Sequence, residues 1–245
     1  MNALDAYHTA VVERLDGALR ERRDTLERFA DCIADAVEAG GLLYLTGSGH
    51  AHMMAEEPFY RAGGLAAVHP VLVPALMLHE GAVRSTRLER LAGLARAALA
   101  DLPLGERDVF VVASNSGRNA FPVEAAQAAR EAGAFVVALT SVEHGRRVAS
   151  RHPSGEKLSD VADLVVDTGA PYGDAAVPLG PGLPTVAPVS TVLGAFLLNA
   201  VTARATQLLF ERGARPDVFA SANLTDGEAM PAERLAAWRA RVKPL

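Results

Sequence analysis

The chain has 245 residues, 50% hydrophobic and 22% charged, which suits a soluble globular protein of one large domain or two small ones. Its formal net charge of −5 excludes nucleic acid as the main partner, and the one basic cluster, RERR at 20–23, adjoins Glu and Asp on a solvated helix face. A single cysteine, Cys32, excludes an intrachain disulfide and a thiolate zinc cluster, and its place in an amphipathic pattern reads as a buried structural thiol.

The opening residues, MNALDAYHTAVVERLDG, have neither the basic start nor the apolar core of a signal peptide. Leu4, Tyr7, Val11, Leu15, Leu19, Leu26, Phe29, Ile33 and Val37 recur at gaps of three, four and seven. This spacing predicts one or two amphipathic helices over 3–39, ended by Gly40 and Gly41. Such a stripe suits packing on a second subunit or on its own domain. The period then changes. LLYLTGSGH (42–50) reads as a short buried strand and a glycine-rich turn, followed by a helix to about Ala62. AAVHPVLV (66–73), DVFVVASNSG (108–117), AFVVALTS (134–141) and DLVVDTG (163–169) read as four more strands, with a helix from about Pro122 to Gly133.

Short apolar strands alternating with helices imply a parallel sheet covered on both faces, an α/β fold. Residues 169–189, rich in proline and glycine, are expected to form an extended loop. Residues 190–213 read as one long helix with Ser190 as N-cap and Gly213 as stop. Its apolar run VLGAFLLNAVTA (192–203) is too short for a bilayer and reads as buried, so no membrane partner and a cytoplasmic protein are expected.

In an open parallel sheet, ligands bind beyond the carboxyl ends of the strands. Small hydroxyl residues gather there: Thr46 with Ser48 and Gly49, then Ser114, Asn115, Ser116 and Gly117, then Thr140 and Ser141. Ser190 and Thr191 open a helix. Main-chain N–H groups and hydroxyls at helix starts favour an anion. These loops contain no lysine, so neutral donors and Arg118 would hold a phosphate. Gly47 and Gly49 do not extend to GxGxxG, because position 52 is His, and no GxxxxGK[ST] occurs. His50 and His52 point apart and lack a third ligand, so no metal is expected. His50, inside the loop, remains a donor to a sugar oxygen.

The stretches GSGHAHMMAEEPFYRAGG (47–64), ASNSGRN (113–119) and ALTS (138–141) resemble the sugar isomerase (SIS) domain, in particular small single-domain proteins described as phosphosugar or phosphoheptose isomerases. The likeness covers about residues 40–225. Ser114, Ser116 and Gly117 match the family's Ser-x-Ser-Gly-x-Ser/Thr, while Asn119 replaces the last hydroxyl and Ala51 stands where relatives carry Ser. The resemblance implies a three-layer, flavodoxin-like sandwich around a five-stranded parallel sheet, usually in a homodimer or larger assembly with sites near subunit boundaries. The domain division is an N-terminal helical extension over 1–39, the SIS domain over 40–225 and a C-terminal helix over 226–245.

Chemistry beyond phosphate binding requires a base, and Glu56, Glu57 and Glu80 are the carboxylates nearest the first two strand ends. Ala55-Glu56-Glu57-Pro58, Glu80-Gly81-Ala82 and Ser116-Gly117-Arg118 are similar to stretches of the SIS-superfamily etherases that act on N-acetylmuramic acid 6-phosphate. That match implies Glu57 and Glu80 as an acid/base pair. Isomerisation and β-elimination both begin with removal of the C2 proton, a task for a desolvated carboxylate. The expected function is cofactor-free β-elimination on an (N-acetyl)hexosamine 6-phosphate. Aldose–ketose isomerisation, which calls for an acid or His at the carbonyl oxygen, is the alternative. A non-catalytic phosphosugar sensor is the third reading.

Overall fold

A computed structural model describes residues 2–221, 223 and 230–245. Two helices lead: α1 (Ala3–Glu21), capped by Asn2 accepting from the Asp5 N–H, and α2 (Arg23–Glu38). They are followed by β1 (Leu43–Gly47), α3 (Met53–Glu56), β2 (Val68–Val71), α4 (Ala82–Leu88), α5 (Leu94–Leu99), β3 (Val109–Ala113) and α6 (Ala120–Glu131). Next come β4 (Phe135–Thr140), α7 (Val142–Arg146), α8 (Leu158–Val161), β5 (Leu164–Asp167), β6 (Ala175–Pro178), β7 (Thr185–Pro188), α9 (Ser190–Glu211) and α10 (Ala232–Arg241).

The five predicted strands form one parallel sheet in the order β2-β1-β3-β4-β5. Alternate residues of each strand feed two cores. Leu43, Leu45, Val109, Val111 and Val137 meet α2 and α9 on one face. Tyr44, Phe110, Val112, Val136 and Ala138 meet α5, α6 and α8 on the other, with Val242 beyond α10. This is the expected three-layer α/β sandwich. Phe29, Ala30, Ile33 and Ala34 on α2 are fully buried in the first core, so this half of the N-terminal stripe packs on its own sheet. Leu4, Val12 and Leu19 on α1 remain exposed. Cys32 is half-buried against the same core, and burial raises its thiol pKa.

Several local expectations are corrected. The helix after β1 ends at Glu56 rather than near Ala62, because Pro58 disfavours helix in the residue before it. The stretch 169–189 holds an antiparallel hairpin, β6–β7, whose turn carries Gly180 and Gly182 at positive φ. Residues 82–99 form two helices, α4 and α5, for which no prediction had been made. The run at 192–203 lies within the 22-residue α9, long and apolar enough by length and composition to cross a membrane, yet half of its most apolar window is buried in this fold. The predicted boundary at 225/226 lies outside the described residues.

Candidate functional site

The strand order reverses between β1 and β3, whose following helices lie on opposite faces of the sheet and leave a crevice between them. A cleft of about 480 Å³ opens there, at the carboxyl ends of the strands. Two loops with exacting backbone form its floor. After β1 the chain turns so tightly that a Cβ on Gly47 would collide with the Ala51 carbonyl, and Gly49 adopts φ +59°. After β3, Gly117 adopts φ +60°, and a side chain there would press on Leu158 Cβ at 3.3 Å. The Ser114 hydroxyl accepts the Gly117 N–H at 3.2 Å, and Leu158 N–H donates to the Gly117 carbonyl at 2.8 Å. The loop is thereby held before any ligand arrives.

Ser48, Gly49, His50, Ser114, Asn115, Ser116, Arg118, Asn119, Ser190 and Thr191 line the cleft, ten of the residues predicted for it. Arg118 Nε and Asn115 Oδ1 are buried with no protein partner among the described residues. Gly117 lies beneath its loop. Thr140 and Ser141 lie behind the wall: Thr140 Oγ1 donates to the Asn115 carbonyl at 3.3 Å, and Ser141 Oγ donates to the Ala170 carbonyl at 2.6 Å and accepts the His144 N–H at 3.0 Å. They position the loops.

Ser190 is not the cap of α9. That role falls to Asp174, whose Oδ1 accepts the N–H groups of Val189 (3.1 Å) and Ser190 (2.7 Å) and whose Oδ2 accepts the Ser190 hydroxyl at 2.6 Å. A protein carboxylate therefore sits at the positive end of this helix, where a phosphate was expected. Thr191 carries the remaining hydroxyl of the pair.

The predicted glutamates lie outside the cleft lining. Glu57 pairs with Arg61 and accepts the Asn199 amide at 2.7 Å. Glu80 pairs with Arg84 at 3.3 Å on the surface, and Glu56 is 3.3 Å from His52 Nε2, whose other ring nitrogen faces the Gly49 carbonyl. Each carboxylate has a partner one helical turn away, His52 for Glu56, Arg61 for Glu57 and Arg84 for Glu80, and Glu57 also binds Asn199 of α9.

Four ionisable side chains in the cleft were missed, Glu89, His144, Arg151 and Asp174, together with the hydroxyls of Ser85, Thr86 and Thr168. Glu89, at the C-cap of α4, accepts the Ser48 hydroxyl at 2.8 Å on Oε2 and the Asn119 amide at 2.7 Å on Oε1. Arg151 Nη1 donates to Asn119 Oδ1 at 3.1 Å, and its main-chain N–H donates to the Arg118 carbonyl at 2.7 Å. His144 Nδ1 accepts the Gly173 N–H at 3.4 Å, which leaves Nε2 as the protonated nitrogen of the neutral ring. Burial holds its pKa below the usual histidine value, against the opposing charge of Asp174, with Arg118 adding a lesser downward push. The available signal for α4, and hence for Glu89, was the helix-forming run between Gly81 and Gly93, in which Leu88 is the apolar side chain of α4 that packs on the core. Arg151 and Asp174 carry no comparable local pattern.

The family model described as SIS domain matches residues 6–141. A UPF0309 protein of Geobacillus thermodenitrificans is 44% identical over 221 residues, covering 90% of this chain and 89% of the relative. The phosphoheptose isomerase GmhA from Neisseria gonorrhoeae shares the fold with a TM-score of 0.54 at 17% identity, over 83% of this chain and 97% of that one. The Vibrio vulnificus NanR protein, solved in complex with ManNAc-6P, does so with a TM-score of 0.52 at 19% identity, over 86% of this chain and 65% of that one.

Proposed function

The chain belongs to the SIS-domain family, and from that premise we propose that its cleft binds an open-chain sugar phosphate and interconverts aldose and ketose by proton transfer. The observation that carries this reading is a carboxylate, Glu89, and a neutral histidine, His144, lining the same cleft as the serine loops and Arg118. The phosphate is assigned to Ser114, Ser116 and the Arg118 guanidinium, whose Nε is buried, with Thr191 as a further donor. Arg118 and Arg151 enter no ion pair among the described residues, so their charge is available to a dianion. Asp174 repels phosphate from the start of α9 and is left to accept a sugar hydroxyl.

Chemistry then follows from placement. Glu89 removes the C2 proton, the C1 carbonyl becomes the O1 hydroxyl of an enediol, and His144 Nε2–H supplies the proton to O1. Glu89 returns its proton to C1 as the O2 hydroxyl gives its own back to His144, leaving a C2 ketone. Both carboxylate oxygens of Glu89 are oriented by hydrogen bonds, so little rotation is needed for attack. Isomerisation gains over elimination because Glu57 and Glu80, on which elimination relied, pair with arginines outside the cleft.

The test is incubation in deuterated water with aldose phosphates, a heptose phosphate among them, and with N-acetylglucosamine 6-phosphate, followed by proton NMR. A ketose product carrying deuterium at C1 is expected from an aldose phosphate. A vinylic resonance instead would establish elimination. Saturable binding with every C2 proton retained would make the protein a sensor.

A further inference from the structure

A second cavity, of about 660 Å³, lies at the opposite end of β1 from the cleft, among the loops that enter β1 and β3 and the segment at α10. Tyr44 lies in β1 and Ser48 directly after its last residue, so the two sites stand roughly 13 Å apart along the chain. We propose that this cavity is a binding site for a small, multiply charged oxyanion, held by Arg107, Arg241, Lys243 and the Tyr44 hydroxyl.

The charges that face it are uneven in availability. Arg107, Arg241 and Lys243 line the cavity against Glu106 and Asp108. Asp108 is already committed: Oδ1 accepts the Leu42 N–H at 2.8 Å and Oδ2 accepts the Gly105 N–H at 2.9 Å. None of the three cations enters an ion pair among the described residues. Arg241 gives one nitrogen to the Gly40 carbonyl at 2.6 Å and lies 4.8 Å over the Trp238 ring, which holds its guanidinium in place with its other donors spare. Tyr44 is 1% exposed, lines the cavity, and has no protein partner for its hydroxyl among the described residues. Burial, with the Asp108 charge beside it, pushes its pKa up to about 12, so it stays an O–H donor throughout the neutral range. A hydroxyl donor that opens on the cavity, beside three cations that enter no ion pair among the described residues, suits an acceptor-rich anion and not a cation.

Trp238 is the only tryptophan, and its stacking on Arg241 places a reporter beside this cavity. Inorganic pyrophosphate is titrated into the full chain at constant ionic strength while Trp238 fluorescence is followed. A saturable change is expected, weakened at least tenfold by Arg107→Gln with Lys243→Gln, weakened by Tyr44→Phe, and retained by the cleft variant Ser116→Ala with Arg118→Gln. No saturable change overturns the proposal. So does a change that survives the Arg107/Lys243 pair, or one that disappears with the cleft variant.

Discussion

Glu89 reaches the cleft already tethered at both oxygens, to the Ser48 hydroxyl and the Asn119 amide. This tether couples Glu89 to the loops after β1 and β3, and Asn119, at the position that carries Ser/Thr in the family pattern, bridges Glu89 and Arg151 through two separate side-chain atoms. Its amide donates to Glu89 while its carbonyl accepts from Arg151. Glu89→Gln keeps the size and much of the bonding but removes the carboxylate proposed as the base. Turnover is expected to fall by about 10²–10⁴ with little change in KM, measured by steady-state kinetics on whichever sugar phosphate the NMR experiment identifies. A large rise in KM with kcat unchanged would make Glu89 a binding group.

At the scale of elements, the site depends on a helix capped from a distance. Asp174 holds the start of α9 from the far side of the β6–β7 hairpin, and it does so at φ +71°, a conformation an aspartate tolerates better than most residues. Asp174→Ala removes three hydrogen bonds and leaves an alanine in the left-handed region. It is expected to lower the free energy of unfolding by about 2–3 kcal/mol, the sum of a lost cap and the conformational penalty, read by urea denaturation. Asp174→Asn should recover about half of that. Equal stability of the alanine and parent chains would show that α9 starts without this cap.

Over the whole molecule, His69 and the half-buried His144 link stability to pH. His69 is 3% exposed in the second layer beside Tyr44, and burial holds its pKa below the ordinary value of 6.5. His144 is lowered from the same value for the same first cause. Between the folded and unfolded pKa values the unfolded chain binds more protons, so stability rises with pH through that window and is lost on acidification below about 6.5. Urea unfolding between pH 7.5 and 5.5 should show a slope of up to about 1.4 kcal/mol per pH unit from His69, reduced in His69→Phe. A profile that is flat, or one unaltered by the substitution, would contradict this linkage.

What the sequence by itself determined was local in origin. Alternation of short Val- and Leu-rich runs with glycine and serine at their ends specified the strands, because a parallel strand buried on both faces must be apolar throughout. The same glycines marked the tight turns, since no side chain fits at Gly47 and Gly117 meets Leu158. Tertiary structure alone decided which carboxylate enters the cleft. Glu57 and Glu80 stand near the strand ends in sequence, yet a helix broken at Pro58 and one-turn arginine partners turn them elsewhere. Glu89, His144, Arg151 and Asp174 come from separate segments of the chain. Only the packing of α4, α7 and α9 around the strand-order reversal gives them a common cleft, because proximity across segments is a property of the sheet order and has no spacing in the chain.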